Sequence, residues 1–349
     1  DLVDGMSGNE ILGAILDLAP EGRPAPEPSP GDGDEAPAEL ELVGRALLGL
    51  PRYPLRVLRA LPTTLPNLTD TPVFSTLPGA GTVARIAQEI QRMLGGDGPV
   101  LGREKLTAPH TSFNGRVSPH RRVVMGTLPL ADFKTAKSQY GCTVNDVVVS
   151  TVAGTVRRWL IAHHELPDGP LVAQIPVSVR TDEERGSFGN RILLMSAPLF
   201  TDEADPVKRL LRTHEALADM KERHKALPAE LLQDANSFIP PAVFSRAARA
   251  TFALASSKRG RPTWNLVISN VPGPPIPLYC AGAELVGNYP VSVITDGMGL
   301  NITVMSYRGD MDFGLVADRE QMPDLQLLMG WLGDELAALT APVADARPA

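Results

Sequence analysis

Apolar positions recur at helical spacing along some stretches of the chain and run together or alternate along others. In TVNDVVVSTVAGTVRRWLIAHH (143–164), Val148, Val152, Val156, Trp159 and Leu160 share one helical face. Thr143 or Asn145 stands where a cap is needed, and Asp146 lies in the first turn. RRVVMGTLPL (121–130) reads as a strand entering the helix ADFKTAKSQYG. LVAQIPVSVR (171–180) and SFGNRILLMSAPLF (187–200) read as further strands, and DPVKRLLRTHEALADMKERHKAL as a long helix with Pro206 near its start. Beyond it the pattern predicts a helix around 229–255, the strand TWNLVISNV (263–271), two or three strands within 283–318, and a C-terminal helix over 323–340. Strands and helices in this mixture predict an α/β fold, a sheet covered by helices.

The first part of the chain has a different texture. DLVDGMSGN (1–9) precedes ILGAILDLA, whose spacing predicts a helix ending near Ala19. Asp4–Gly5 is a tight-turn pair, Ser7 and Asn9 can accept hydrogen bonds from the first free helix amides, and Glu10 adds an acid there. Residues 20–37 are rich in Pro, Gly and acid, the composition of a solvated linker or long loop. In 38–61, Leu40, Val43, Leu47, Leu50, Leu55, Leu58 and Leu61 form a stripe broken at Pro51 and Pro54, with Arg45, Arg52, Arg56 and Arg59 around it. That pattern suits helices packed on their own domain and also helices lying on a membrane surface. GAGTVARIAQEIQRMLGG (79–96) predicts another helix, and its GAGTVA is not a dinucleotide loop because no strand leads into it.

Composition narrows the function classes. At 349 residues and 43% hydrophobic the chain can bury about two cores. A net charge of −7 argues against general nucleic-acid binding. Cys142 and Cys280 make neither a metal pattern nor a disulfide framework, which fits a reducing compartment. No apolar run approaches the length of a membrane span. Gly5-Met6-Ser7-Gly8 is not a nucleophile elbow, since Asn9 stands where the second glycine belongs.

Several stretches occur together in one order: DLVDGMSG, TVNDVVVSTVAGTVRRWL, IPVSVR, SFGN, ISNVPGP (268–274), and the run from AGAELVGNYPVS to GLNITVMSYRGDMDFGLVADRE. In this combination the chain resembles the bacterial wax ester synthase/diacylglycerol acyltransferase family from Asp1 to about Leu339. The resemblance implies two chloramphenicol-acetyltransferase-like domains with a catalytic channel between them. Residues 1–19 would be the end of the N-terminal domain, 20–37 a Pro/acidic linker or loop, 38–118 a helical inter-domain region, and 119–349 the C-terminal acyltransferase-like domain. Asp4 and Gly5 would close the family's HHxxxDG motif, with its two histidines directly ahead of Asp1 and outside the chain.

The chemistry implied is esterification of an alcohol by an acyl thioester. A neutral imidazole takes the alcohol proton, pre-placed donors stabilise the oxyanion, and both substrates meet without a covalent enzyme intermediate. By resemblance the second missing histidine is the base, Asp4 shapes the motif loop by pairing with an arginine, and Gly5 permits the turn. Asn145 and Asp146 would support the site from the second domain, and Asn270 would reach into the channel, although helix capping and turn formation account for all three equally well. Ser187–Asn190 would border the channel. Lys258, Arg259 and Arg261, after Arg246 and Arg249, are a landing site for coenzyme A phosphates or simply a solvated face.

No metal and no permanently bound cofactor is implied, acyl-CoA being a co-substrate. The expected partners are acyl-CoA, diacylglycerol or a long-chain alcohol, and a segment ending in His-His. The expected location is cytoplasmic, with peripheral contact to the inner membrane face or lipid droplets. HHELPDG (163–169) matches HHxxxDG letter for letter, but at a helix C-terminus followed by a Pro-Asp-Gly turn it reads as a chain reversal. His110, His120, His214 and His224 receive no role. A condensation enzyme using carrier-protein thioesters and a non-catalytic lipid-binding scaffold are the alternatives.

Overall fold

The computed structural model describes residues 5–24, 108–178, 192–225, 256 and 262–341. One compact unit contains residues 1–20, 103–226 and 250–349; a second contains 21–102 and 227–249, of which only 21–24 are described. The expected helices in 38–61, 79–96 and 229–255, and Ser187–Asn190, lie outside the described residues.

In chain order the elements are α1 (Gly5–Ile15), β1 (Arg121–Pro129), α2 (Leu130–Tyr140), α3 (Val144–Ala162), β2 (Leu171–Ser178), β3 (Ile192–Leu199), α4 (Pro206–Lys225), β4 (Leu266–Val271), β5 (Tyr279–Cys280), β6 (Ala283–Glu284), β7 (Leu300–Tyr307), β8 (Asp310–Asp318) and α5 (Leu327–Thr340). Six strands form a mixed sheet in the order β1-β8-β7-β4-β2-β3, and β5 and β6 pair as a small hairpin. β2, β4 and β7 run parallel at its centre, while β1, β8 and β3 are antiparallel to their neighbours. The α/β class, a mixed sheet covered by helices, is as the pattern predicts.

Helices α2, α3, α4 and α5 cover one face of this sheet. Val148, Val152, Val156, Trp159 and Leu160 of α3 are buried with Phe133 of α2, Leu210 and Leu217 of α4, Leu328, Leu332 and Leu336 of α5, and the inward strand residues Leu266, Ile302, Phe313 and Leu315. The segment 285–298 passes over the other face at Gly314, and residues 108–118 are tied in by Phe113, whose ring meets that of Trp159 of α3 edge-on at 5.6 Å, and by Asn114, which donates to the carbonyls of Asn265 and Gly297 at 2.9 and 2.8 Å. A buried amide that satisfies both donors in this way pins an irregular segment to a sheet.

Several boundaries differ from expectation, among them the C-terminal helix, which begins at Leu327 rather than at 323. The first helix begins at Gly5 and ends at Ile15, so Gly5 is its first residue and Ser7 and Asn9 lie inside it rather than capping it. It stops short of Ala19 because Asp17 pairs with Tyr279 through two backbone hydrogen bonds of 2.8 Å. The strand expected from Thr263 begins at Leu266, because Asn265 spends its side chain on Val172 N and Pro109 O at 2.8 and 2.6 Å.

Asp205 starts α4 by accepting from the amides of Val207 and Lys208 at 2.9 and 3.1 Å. The Lys208 hydrogen bond, outweighing desolvation, holds its carboxyl below the ordinary range. Asp205→Ala should lower stability by about 1 kcal/mol. Since the folded-state pKa is the lower one, the difference in melting temperature between native and variant is full above the unfolded-state pKa of about 4 and closes as pH falls through the depressed value. An unchanged difference at pH 2 would contradict this origin.

Candidate active site

Two of the residues singled out in the sequence, 125 positions apart, meet where α3 begins and β4 ends. Asn270 Nδ2 donates to Asn145 Oδ1 at 3.4 Å, both residues being partly buried. Asn145 is held there by the start of α3: Thr143 is the N-cap, its Oγ1 accepting from Asp146 N at 3.2 Å, while Asp146 Oδ2 accepts from Thr143 N at 2.8 Å. This reciprocal box satisfies two amides that a helix end otherwise leaves unpaired.

Asn270 is held by the strand and by the turn after it. In β4 it lies opposite Val304 of β7, and Gly273 N donates to Ser306 Oγ at 3.1 Å. A Cβ on Gly273 would stand 2.1 Å from the Ser306 carbonyl oxygen, so only glycine lets the VPG turn lie this close to β7. The ND and ISNVPG stretches thus converge because the parallel centre of the sheet delivers the end of β4 beside the helix that follows β1 and α2.

Asp146 is 2% exposed at its side chain, and its Oδ2 takes a second donor, His214 Nδ1 of α4, at 2.7 Å. No local motif in the sequence marks His214. The available signal was its place in α4, beside the buried stripe of Arg209, Leu210, Thr213 and Leu217, where a polar side chain needs a partner. A depression of about 210 Å³ opens here, lined by Thr143, Asp146, His214, Ala218, Lys221 and Glu222. Burial pushes the Cys142 thiol up and the Asp146 carboxylate adds to this, so Cys142 is no thiolate nucleophile.

The decoy motif lies at the far end of α3. His163 is the C-cap, with Nδ1 at 2.8 Å from the Trp159 carbonyl, its ring stacked 3.9 Å from that of Trp159, and Nε2 3.4 Å from Asp324. His164 has a φ of 57°, the left-handed turn that reverses the chain. These 19 helical residues span about 28 Å between the two ends.

Gly5 opens α1, and Asp4, Lys258, Arg259 and Arg261 lie outside the described residues. Among the described residues no cluster of His, Cys, Asp and Glu could hold a metal ion, and no helix is long and apolar enough to cross a membrane.

The fold falls in the class of chloramphenicol-acetyltransferase-like acyltransferase folds. It is similar to the wax ester synthase/diacylglycerol acyltransferase from Marinobacter aquaeolei VT8 at 27% identity and a TM-score of 0.61, over 97% of this chain and 65% of that one. The model of the wax ester synthase/diacylglycerol acyltransferase catalytic domain matches residues 2–148, and that of the WS/DGAT C-terminal domain matches 188–340. The chain belongs to the wax ester synthase/diacylglycerol acyltransferase family. It is 35% identical over 238 residues to the O-acyltransferase WSD of Acinetobacter baylyi, covering 68% of this chain and 50% of that protein. It is 39% identical over 236 residues to a Mycobacterium tuberculosis protein named as diacylglycerol O-acyltransferase tgs2, covering 68% and 51%. The chain therefore spans about half the length of the curated relatives it matches.

Proposed function

We propose that this chain is part of an O-acyltransferase that joins the acyl group of acyl-CoA to diacylglycerol or a long-chain alcohol, giving triacylglycerol or wax ester. Residues 1–19 then end its N-terminal domain, 20–37 link, 38–118 lie between the domains, and the remainder forms the C-terminal domain. The observation that carries the reading is the meeting of Asn145 and Asn270, from two separate motifs, at the end of a central strand of the helix-covered sheet. Nothing in capping or turn formation requires those two amides to meet.

In the reaction a neutral imidazole of the segment ahead of Asp1 removes the alcohol proton as the oxygen attacks the thioester carbonyl. The C–O bond forms, the carbonyl oxygen becomes an oxyanion, and the C–S bond then breaks. The proton passes from the imidazolium to the departing coenzyme A sulfur. With Asn270 donating to Asn145 Oδ1, the Nδ2 of Asn145 stays outside that bond and can donate to the oxyanion. Asp4 shapes the histidine loop, and Lys258, Arg259 and Arg261 bind the phosphates of coenzyme A. No cofactor stays bound. The enzyme works in the cytoplasm, resting on membrane or lipid droplets through residues 38–61.

The test is ester formation and thiol release by the chain joined to a family segment ending in His-His, with diacylglycerol and with a long-chain alcohol. Asn145→Ala and Asn270→Ala should each lower kcat about tenfold to a hundredfold, and the double variant should be little worse than either alone, because the pair acts as a unit. Folded protein that forms no ester with either acceptor would overturn the reading. Additive losses would separate the two asparagines.

A further inference from the structure

We propose that His214 is a positioning residue for this site, acting through Asp146 on the turn that presents Asn145. This rests on the acyltransferase reading above and extends it to a third element, α4. Asp146 Oδ2 is shared by two donors from different parts of the fold: the Thr143 amide at 2.8 Å, which closes the helix cap, and His214 Nδ1 at 2.7 Å. The cap alone needs only the first. The second ties the opening turn of α3 to the middle of a 20-residue helix packed along it.

The geometry explains why a histidine serves. Nδ1 carries the proton toward the carboxylate, and the rest of the ring, 37% exposed at the side chain, turns toward the depression it lines with Lys221 and Glu222. Asn145 directly precedes Asp146, so a shift of the Asp146 side chain is carried along one peptide to the amide that faces Asn270. The first turn of α3 is thus held from three directions: by Thr143 within its own turn, by Asn270 from β4, and by His214 from α4.

The experiment compares His214→Phe, His214→Asn and His214→Gln in the protein joined to its histidine segment. Asparagine places its Nδ2 where Nδ1 of the imidazole stands, whereas glutamine places a donor one carbon further out. His214→Phe and His214→Gln should lower kcat about tenfold with KM for acyl-CoA nearly unchanged, since a displaced group costs rate more than binding, and His214→Asn should recover most of the loss. If phenylalanine prevents folding, the contrast between asparagine and glutamine decides. Equal kcat in all variants, or asparagine no better than glutamine, would overturn the proposal. A wild-type protein that makes no ester ends the acyltransferase reading but leaves this one open to a second measurement. Amide hydrogen exchange at 144–147 should quicken in His214→Phe while β7 and β8 stay protected, and unchanged exchange there would overturn it.

Discussion

Replacing Glu335 by alanine should cost about 3–5 kcal/mol, the penalty for leaving a buried charge without its partner. Glu335 of α5 holds two arginines at once. Its Oε2 takes the guanidinium of Arg209 from α4, and its Oε1 takes Arg158 Nε of α3 at 2.7 Å. Arg209 is 2% exposed, with its remaining donors on the carbonyls of Ser150 and Glu203 at 3.2 and 2.9 Å. Burial pulls its guanidinium below the ordinary range and Glu335 pushes back, so the carboxylate is what makes the buried cation tolerable. Thermal unfolding of Glu335→Ala should fall by on the order of ten degrees. The double variant Arg209→Met, Glu335→Leu should regain most of that, because two apolar groups of similar volume carry no desolvation cost. A single variant melting within a degree or two of the native protein would show that the pair contributes nothing.

The second large effect is expected at Gly314. A Cβ there would sit 1.7 Å from the carbonyl oxygen of Pro290 and 2.8 Å from its carbonyl carbon, atoms of backbone that no rotamer change can move aside. Gly314 lies at the centre of β8, opposite Thr303 and Met125, and over it passes the segment 285–298. Four side-chain bonds fasten that segment to the sheet: Asn288 N to Asp312 Oδ2 at 2.7 Å, Tyr289 with Thr127 through their hydroxyls at 2.8 Å, Asn301 Nδ2 to the Val293 carbonyl at 3.2 Å, and the Tyr307 hydroxyl to the Leu285 carbonyl at 2.9 Å. Gly314→Ala must lift the segment or bend the strand, at about 2–3 kcal/mol. Protease cleavage and amide exchange should rise within 285–293 before the rest of the unit opens. Native-like protection there would mean that the strand yields instead.

These two sites also mark what the hydrophobic pattern could not convey. Arg209 and Glu335 look like ordinary helix-surface charges in the chain, 126 residues apart, and only the packing of α3, α4 and α5 closes around them. Gly314 reads as a weakness within a strand, and the reason for it is another stretch of backbone.

The candidate site divides in the same way. Asn145, Asp146 and Asn270 were visible because they stand at punctuation points of the pattern: the first turn of an apolar-periodic helix and the end of an apolar strand before Pro-Gly. Their meeting was not visible, since local spacing carries no information on which strand end lies beside which helix start. His214 was passed over for a related reason: one histidine in a charged helix has no local signature, and its meaning comes from a carboxylate on another element. The start of α1 was misplaced because Asp-Gly is as good a turn as a helix opening.

By itself, then, the sequence determined the α/β class, most element positions, the family, and three of the residues at the candidate site, since all of these are written in periodicity, caps and short ordered motifs. Tertiary structure alone decided that the two asparagines pair and that a histidine from α4 bonds to Asp146 in the first turn of α3. The physical reason is that hydrogen-bond partners and close backbone approaches are set by the order of strands in the sheet and the packing of helices upon it, which no local stretch encodes.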